Sequence, residues 1–209
     1  MKILLSLAVM AATCTAFAQG TSEAILDYAN SPPVIATISG TGGWSFQSAN
    51  AITVTELGCF AYVFDNLAVT SVQVGLWATN GSLLGSASIT PSSILTNRTR
   101  YERIAEVSLN PGQPYRLGVH YEGGSIGLDV VIPSTGGTVF TSPGIQVGEA
   151  VFAATGFAYP ANGTGSGGSI YAGPNFRFPN QGGVPEPSSC LLLCLGGLLL
   201  AVRRSRQRH

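Results

Sequence analysis

The chain has 209 residues with no formal net charge, and only 10% of its residues are charged. This composition is typical of an extracellular β protein rather than a cytosolic enzyme. Between residues 19 and 183, five arginines and no lysine stand against nine carboxylates, which gives a net charge of −4. A mildly acidic body without a basic stripe argues against nucleic-acid binding, because such binding depends on neutralising phosphates.

The first 18 residues have the parts of a secretory signal peptide. Lys2 is followed by a short apolar run, and Ala16 and Ala18 lie at its small-residue end. Signal peptidase recognises small residues at these two positions, so we predict cleavage after Ala18 and export through the secretion translocon. The alternatives are a buried helix, for which the run is short, and a lipoprotein signal at Cys14, which Thr13 disfavours.

Residues 19–179 are predicted to form one all-β domain. The segment 21–43 carries two consecutive prolines and several glycines, which predict a loose N-terminal stretch. Short runs of alternating apolar and polar residues predict about eight to ten strands. These runs begin at Trp44, Ala51, Ser71, Ser82, Arg100, Thr138, Ile145 and Asn175. Two sheets packed face to face would bury one side of each strand, so we expect an antiparallel β-sandwich of jelly-roll or Greek-key type.

Three connections within this domain carry specific predictions. An Asn-Gly pair predicts a tight turn and a hairpin over residues 71–90. Residues 100–121 are predicted to form a second hairpin. Its L-x-P-G-x-x-Y spacing, ending at Tyr115, resembles the tyrosine corner of Greek-key sandwiches, in which the phenol bonds a backbone group across an arch between sheets. The glycine-rich residues 162–168 predict a flexible surface loop.

No residue set in the body predicts catalysis, a cofactor or a bound metal, so we expect a non-enzymatic protein. Cys59 is the one cysteine between residues 19 and 183, and its apolar context predicts a buried thiol rather than a nucleophile. His120 lies on a predicted strand without a serine motif or a second metal ligand, which favours a strand-face histidine over a base. Sequence spacing predicts neither a glycosidase pair nor a calcium loop among the candidate carboxylates. Those carboxylates are Glu56, Asp65, Glu102, Glu106 and Asp129.

Sugar binding is the alternative function that the body leaves open. An exposed aromatic ring can stack on a sugar ring. Trp77 falls on the polar side of its predicted strand, beside Gln73, and is therefore the candidate platform for glycan stacking. The competing interpretation is a core residue, as for most tryptophans in sandwiches. The alternative function is thus a carbohydrate-binding module that acts on an exopolysaccharide.

The C-terminal part combines a linker with an apolar segment. Residues 180–187 form the predicted linker, and residues 188–209 form a predicted membrane segment with a basic tail. The apolar run of residues 190–202 would span about 20 Å as a helix, short of the roughly 30 Å hydrocarbon core. Four arginines follow it: Arg203, Arg204, Arg206 and Arg208. Their excess predicts a cytoplasmic tail and an exported body.

The order of features at this end is specific. Pro185, Glu186 and Pro187 are followed at once by the short Leu- and Gly-rich run and by the arginine cluster. This arrangement resembles the PEP-CTERM sorting signal of exported bacterial proteins. The resemblance implies processing by exosortase, an integral-membrane cysteine transpeptidase, in a Gram-negative-type bacterium. It also implies delivery to the cell surface or to the exopolysaccharide matrix of a biofilm. We therefore expect a transient membrane anchor that is cut away.

Overall fold

The computed structural model describes residues 20–29, 35–65 and 69–180, and nearly all regular structure in them is β. One α-helical turn (α1, Tyr62–Asp65) and one 3₁₀ turn (Pro133–Thr135) interrupt the strands. The strands, in chain order, are β1 (Thr21–Glu23), β2 (Ile25–Ala29), β3 (Ile35–Ile38), β4 (Thr41–Ser48), β5 (Ile52–Phe60), β6 (Val72–Ala78), β7 (Leu83–Ile89), β8 (Ile94–Thr96), β9 (Thr99–Leu109), β10 (Pro114–His120), β11 (Ile126–Val131), β12 (Thr138–Thr141), β13 (Ile145–Phe152), β14 (Asn162–Gly167), β15 (Ile170–Ala172) and β16 (Pro174–Pro179).

These strands form four antiparallel sheets. A five-stranded sheet has the order β1-β16-β5-β9-β8, and a six-stranded sheet has the order β14-β13-β4-β10-β6-β7. A three-stranded sheet, β15-β11-β3, and the pair β12-β2 complete this part of the chain. Every strand pairing in it is antiparallel. The all-β prediction is therefore confirmed, in an arrangement consistent with a β-sandwich.

The core lies where the two large sheets face each other. Trp44 on β4 and Phe176 on β16 are both fully buried, and their rings stack with centroids 6.0 Å apart. Phe46 packs against both rings, at 5.3 Å from Trp44 and 4.8 Å from Phe176. The Trp44 indole Nε1–H donates to the Pro174 carbonyl at 2.9 Å, so one side chain joins the sheets by both packing and a hydrogen bond.

The predicted hairpin over residues 71–90 is confirmed. β6 and β7 pair antiparallel, and Gly81 takes a φ of 88° at the turn. Glycine accepts this left-handed conformation because it has no Cβ. The Asn80 side-chain carbonyl accepts a hydrogen bond from the Ser82 amide at 3.0 Å. This bond stabilises the turn between β6 and β7.

The predicted hairpin over residues 100–121 is wrong, whereas the arch predicted within it is present. β9 pairs with β5 and β8 in the five-stranded sheet, but β10 pairs with β4 and β6 in the six-stranded sheet. The connection therefore crosses between sheets. Its Gly112 amide donates to the Ser48 carbonyl at 2.7 Å, and the Tyr115 hydroxyl accepts from the Asn110 amide at 2.9 Å. This is the phenol-to-backbone bond that the tyrosine-corner spacing predicts.

Two segments predicted to be irregular contain strands. The segment 21–43 contributes β1, β2 and β3 in full, together with the start of β4, and residues 162–168 contribute β14. The number of strands thus exceeds the predicted eight to ten. β1, β2, β3 and β14 are held by pairing with β16, β12, β11 and β13 respectively, which no local pattern reveals.

The predictions at the two ends fall outside the described residues. The signal peptide with Ala16 and Ala18, residues 181–187 of the linker, and the C-terminal segment stay predictions. Within residues 20–29, 35–65 and 69–180, no helix has the length and apolar character needed to cross a membrane.

Candidate functional site

Trp77 lies on the face of β6 that the sequence predicts, but it is not exposed. Its neighbours Val74 and Leu76 point into the core, and the indole lies on the opposite face of the six-stranded sheet. Only 3% of Trp77 is accessible, because the Phe157 ring packs over it with centroids 5.2 Å apart. The premise of an exposed stacking platform is therefore wrong, since no ring face is open to a sugar.

A row of glycines explains this burial. Gly43 on β4, Gly118 on β10 and Gly75 on β6 stand opposite one another in three adjacent strands. The absence of side chains leaves a trough on this face, and the Trp77 ring lies in it. A Cβ built on Gly118 would come 3.4 Å from the indole Cζ3, and one built on Gly75 would overlap the ring. The row depends on strand register, so the pattern of one strand could not reveal it.

Residues 153–161 form a strap that closes over Trp77. The Thr41 hydroxyl donates to the Gly156 carbonyl at 2.9 Å and accepts from the Ala158 amide at 3.0 Å. The Tyr159 hydroxyl donates to the Thr79 carbonyl at 2.9 Å, beside the β6–β7 turn. The Arg116 guanidinium lies 5.0 Å from the centre of the Tyr159 ring and also donates to the Pro160 carbonyl. These bonds tie residues 156–160 of the strap to the sheet and to the residue after β6.

His120 is the last residue of β10 and is buried. Its Nδ1 lies 2.9 Å from the Gly40 carbonyl oxygen, so Nδ1 carries the proton and donates. The predicted position on a strand is confirmed. The ring is anchored to a backbone group next to the strap.

Cys59 lies on β5 and has no accessible surface. Burial raises the pKa of its thiol, because the charged thiolate would lose its hydration. The prediction of a buried thiol is confirmed.

The candidate carboxylates are dispersed over different elements. Glu56 on β5 forms an ion pair with Arg177 at 2.9 Å, and Asp129 on β11 accepts from the Tyr28 hydroxyl at 2.8 Å. Glu106 is exposed and Glu102 is half-buried along β9, as expected for a solvated strand face. Asp65 ends α1. Among the residues that the structure describes, no three His, Cys, Asp or Glu side chains are grouped to hold a metal ion.

One charged cluster was missed at the sequence level. Glu23, Arg177, Glu56 and Arg103 stand opposite one another on β1, β16, β5 and β9, so their charges alternate across the five-stranded sheet. Opposite charges that face each other across strands stabilise a sheet by roughly 0.2–1 kcal/mol per pair. Tyr101 lies beneath this row, with its ring centre 5.2 Å from the Arg177 guanidinium. The row escaped prediction because Glu23 belongs to the segment predicted to be irregular.

Glu23 is the most buried charged group of this row. It is 6% exposed, and its Oε1 accepts from the Asn97 side-chain amide at 2.9 Å. Burial raises the pKa of its carboxyl, which the hydrogen bond with Asn97 and the charge of Arg177 only partly oppose. The carboxylate joins β1 to the β8–β9 turn.

The raised pKa of Glu23 predicts a pH-dependent stability. A carboxyl with a raised folded-state pKa contributes its full stability below the unfolded value near 4.5, and this contribution falls as the pH rises through the folded-state pKa. Glu23→Gln keeps the acceptor for Asn97 and cannot ionise. We expect this variant to gain thermal stability relative to wild type as the pH rises from 4.5 to neutrality. Melting curves over a pH series measure the difference.

The matched control for this prediction is Glu122→Gln, which removes an exposed carboxylate from a loop. Its melting temperature should follow that of wild type at every pH. Parallel curves for Glu23→Gln and wild type would contradict a raised pKa at Glu23.

An open groove of about 370 Å³ is lined by residues of β3, by the end of β13 and by Tyr171 of β15. Its aromatic lining is Phe152 and Tyr171, its hydroxyl groups come from Thr37 and Ser39, and small aliphatic residues complete it. The lining contains no charged residue. An uncharged groove with two rings and hydroxyl groups can accept a neutral, ring-shaped polar ligand.

Neither a protein-family model nor a curated protein matches this chain.

Proposed function

We propose that this protein is an exported, non-catalytic bacterial protein of the cell surface or extracellular matrix, sorted by a PEP-CTERM signal that exosortase processes. The observation that carries the proposal is the C-terminal order: Pro185, Glu186 and Pro187, then a short apolar run, then four arginines. The apolar run is shorter than the hydrocarbon core of a bilayer. This length fits a membrane anchor that is needed only until cleavage.

The described body supports this proposal in two ways. An exported domain with one cysteine cannot form a disulfide within itself, so its stability must come from its hydrophobic core. The core built around Trp44 and Phe176 meets this requirement. The groups that could have served catalysis have structural partners: His120 is bonded to a backbone carbonyl, and Glu56 is paired with Arg177. A non-catalytic module fits these arrangements best.

The finer architecture that we propose is a sandwich of jelly-roll or Greek-key type. Its support is the placement of β10 between β4 and β6, and the arch at Tyr115 that carries the chain from one large sheet to the other. Crossings of this kind are typical of Greek-key sandwiches.

The test of sorting is the mass of the surface form. In a host with exosortase, the exported protein is expected to lack the tail that contains Arg203 to His209, whereas a Glu186→Ala variant keeps it in the membrane fraction. Intact-mass spectrometry of both fractions distinguishes the two forms. Glu122→Ala, which removes an exposed carboxylate from the body, is the matched control and should be processed as wild type. A surface form that retains His209 would refute the cleavage proposal.

The groove favours a second candidate function, the binding of a neutral exopolysaccharide. Its rings and hydroxyl groups offer the stacking and hydrogen bonds that a sugar needs, and they replace Trp77 as the candidate contacts. Tyr171→Ala is expected to reduce retention of the host polysaccharide by roughly fivefold or more, given a stacking energy of about 1 kcal/mol or more. Tyr121→Ala, at a half-buried tyrosine outside the groove, is the control. Equal retention by both variants and wild type would exclude this function for the groove.

A further inference from the structure

Strand β7 forms one edge of the six-stranded sheet. Within residues 20–29, 35–65 and 69–180 it pairs only with β6, so the backbone groups along its other side have no strand partner. Its seven residues would extend over about 24 Å. An unpaired edge of this length is a template for a further strand, because each outward N–H and C=O can enter a new ladder.

β7 has no charge and no proline to protect this sheet edge, and its one irregularity is a register shift against β6 between Leu76 and Trp77. Its sequence, LLGSASI, contains no charged residue and no proline, and no charged residue occurs anywhere between residues 66 and 97. Leu83 is 49% exposed, Leu84 is 37% exposed, and Ser86 and Ser88 are exposed as well. Natural sheets commonly block an edge with lysine, proline or an inward charge, so an exposed and neutral edge is open to pairing with a further strand.

The other sheet edges differ from β7 in length or in conformation. β1 and β8 have three residues each, and β1 carries the charged Glu23. β14, at the opposite edge of the same sheet, also shifts register against its neighbour and in addition contains Gly165, whose φ is 70°. A residue in the left-handed region turns the strand away from a straight ladder. Residues 85–89 of β7 pair with β6 without a shift. Among the described strands, β7 is therefore the longest edge and the best suited to pairing.

We propose that β7 pairs antiparallel with β7 of a second copy of this chain, around a two-fold axis near Ser86. Such pairing joins two six-stranded sheets into one continuous sheet. In such a pair Ser86 faces Ser86 of the second copy, and the residues on either side of it face each other in antiparallel order. β7 therefore places no charge in this ladder. The body carries a net charge of −4 between residues 19 and 183, so two copies repel elsewhere and approach most easily along this neutral edge.

This inference is independent of the proposed sorting route. It rests on the strand order, the exposure and the charge of β7, and it would hold for the chain before or after any processing at its C-terminus.

The test is the self-association of the full chain in a mild detergent, measured by sedimentation velocity over a concentration series. Wild type is expected to form dimers, and Ser86→Lys is expected to weaken dimerisation by up to roughly fivefold, because two lysines would face each other at the axis. Gln113→Lys adds the same charge in the exposed β9–β10 connection and should dimerise as wild type. Any association through the C-terminal segment is common to all three proteins and cancels in the comparison.

Hydrogen exchange gives a second measurement. The amides of β7 should exchange more slowly at high than at low protein concentration in wild type, and rapidly at both in Ser86→Lys. If that variant does not fold, Ser86→Asp, which also places two like charges at the axis, replaces it.

Two results would overturn the proposal: a monomeric wild type across the series, or a Ser86→Lys variant that dimerises as strongly as wild type. A monomeric wild type whose β7 amides become protected only on addition of an unrelated extended peptide would assign the edge to a foreign strand instead.

Discussion

Replacing Trp44 by alanine is expected to lower the free energy of unfolding by about 3–5 kcal/mol. The side chain has no accessible surface, and its ring packs on Phe46 and Phe176 between the two large sheets. Its removal leaves a cavity that β-strands cannot close by small shifts. It also leaves the buried Pro174 carbonyl without its donor. A domain of this size is usually stable by about 5–15 kcal/mol, so the loss amounts to between about one fifth and the whole of that stability.

Urea denaturation of the full chain, followed by far-ultraviolet circular dichroism, measures this loss. Trp44→Phe keeps most of the packing and removes the hydrogen bond, so its cost should be smaller. Phe140→Ala is the matched surface control, because Phe140 is 52% exposed on β12 and its truncation should change stability by no more than about 0.5 kcal/mol. A Trp44→Ala variant as stable as Phe140→Ala would contradict the packing of the two sheets on this ring.

The long strands could be predicted from the sequence because each buries one face. β5, β6 and β9 are seven residues or longer, and runs of alternating apolar and polar residues in them predict strands where the strands lie. β4 was predicted from Trp44 onward only. β1 and β3 could not be predicted in this way, since three or four residues are too few to show a period. They are strands because β16 and β11 offer them a partner.

The connection after β9 shows how a correct local signal can accompany an incorrect topology. The spacing that ends at Tyr115 predicted the bond to the Asn110 backbone, because that bond depends on a few consecutive residues. Whether the two flanking strands pair with each other depends on distant strands. β9 lies between β5 and β8 in its sheet, and β10 lies between β4 and β6 in the other sheet. Neither strand therefore has a free side for a hairpin partner.

The environment of single side chains was predicted where it follows from local sequence. Cys59 lies in an apolar run and is buried. The face of Trp77 was also predicted, but its exposure was not, because two independent features cover it. Gly118 on β10 leaves space for the ring, and Phe157 in the strap packs over it. Neither neighbour is close to Trp77 in sequence.

Gly75→Ala is expected to disrupt this cluster and to lower the free energy of unfolding by about 1–3 kcal/mol. A Cβ at this position would overlap the Trp77 indole and come 2.7 Å from the Phe157 ring. Both rings would have to move outward, and the strap over residues 153–161 would lose its central contact with the sheet. The chain contains two tryptophans, and Trp44 remains fully buried, so a red shift in emission and stronger quenching by acrylamide would report the exposure of Trp77.

Gly127→Ala is the matched control for this prediction. It adds the same methyl group to another strand, β11, where the nearest atom is a methyl carbon of Ile35 at 3.3 Å. Ile35 is 70% exposed and can turn aside, so emission and stability should stay close to those of wild type. If Gly75→Ala behaves like Gly127→Ala, the indole does not lie in the glycine trough. If only Gly75→Ala exposes the indole, the glycine row is what keeps the aromatic ring of Trp77 away from solvent and from sugars.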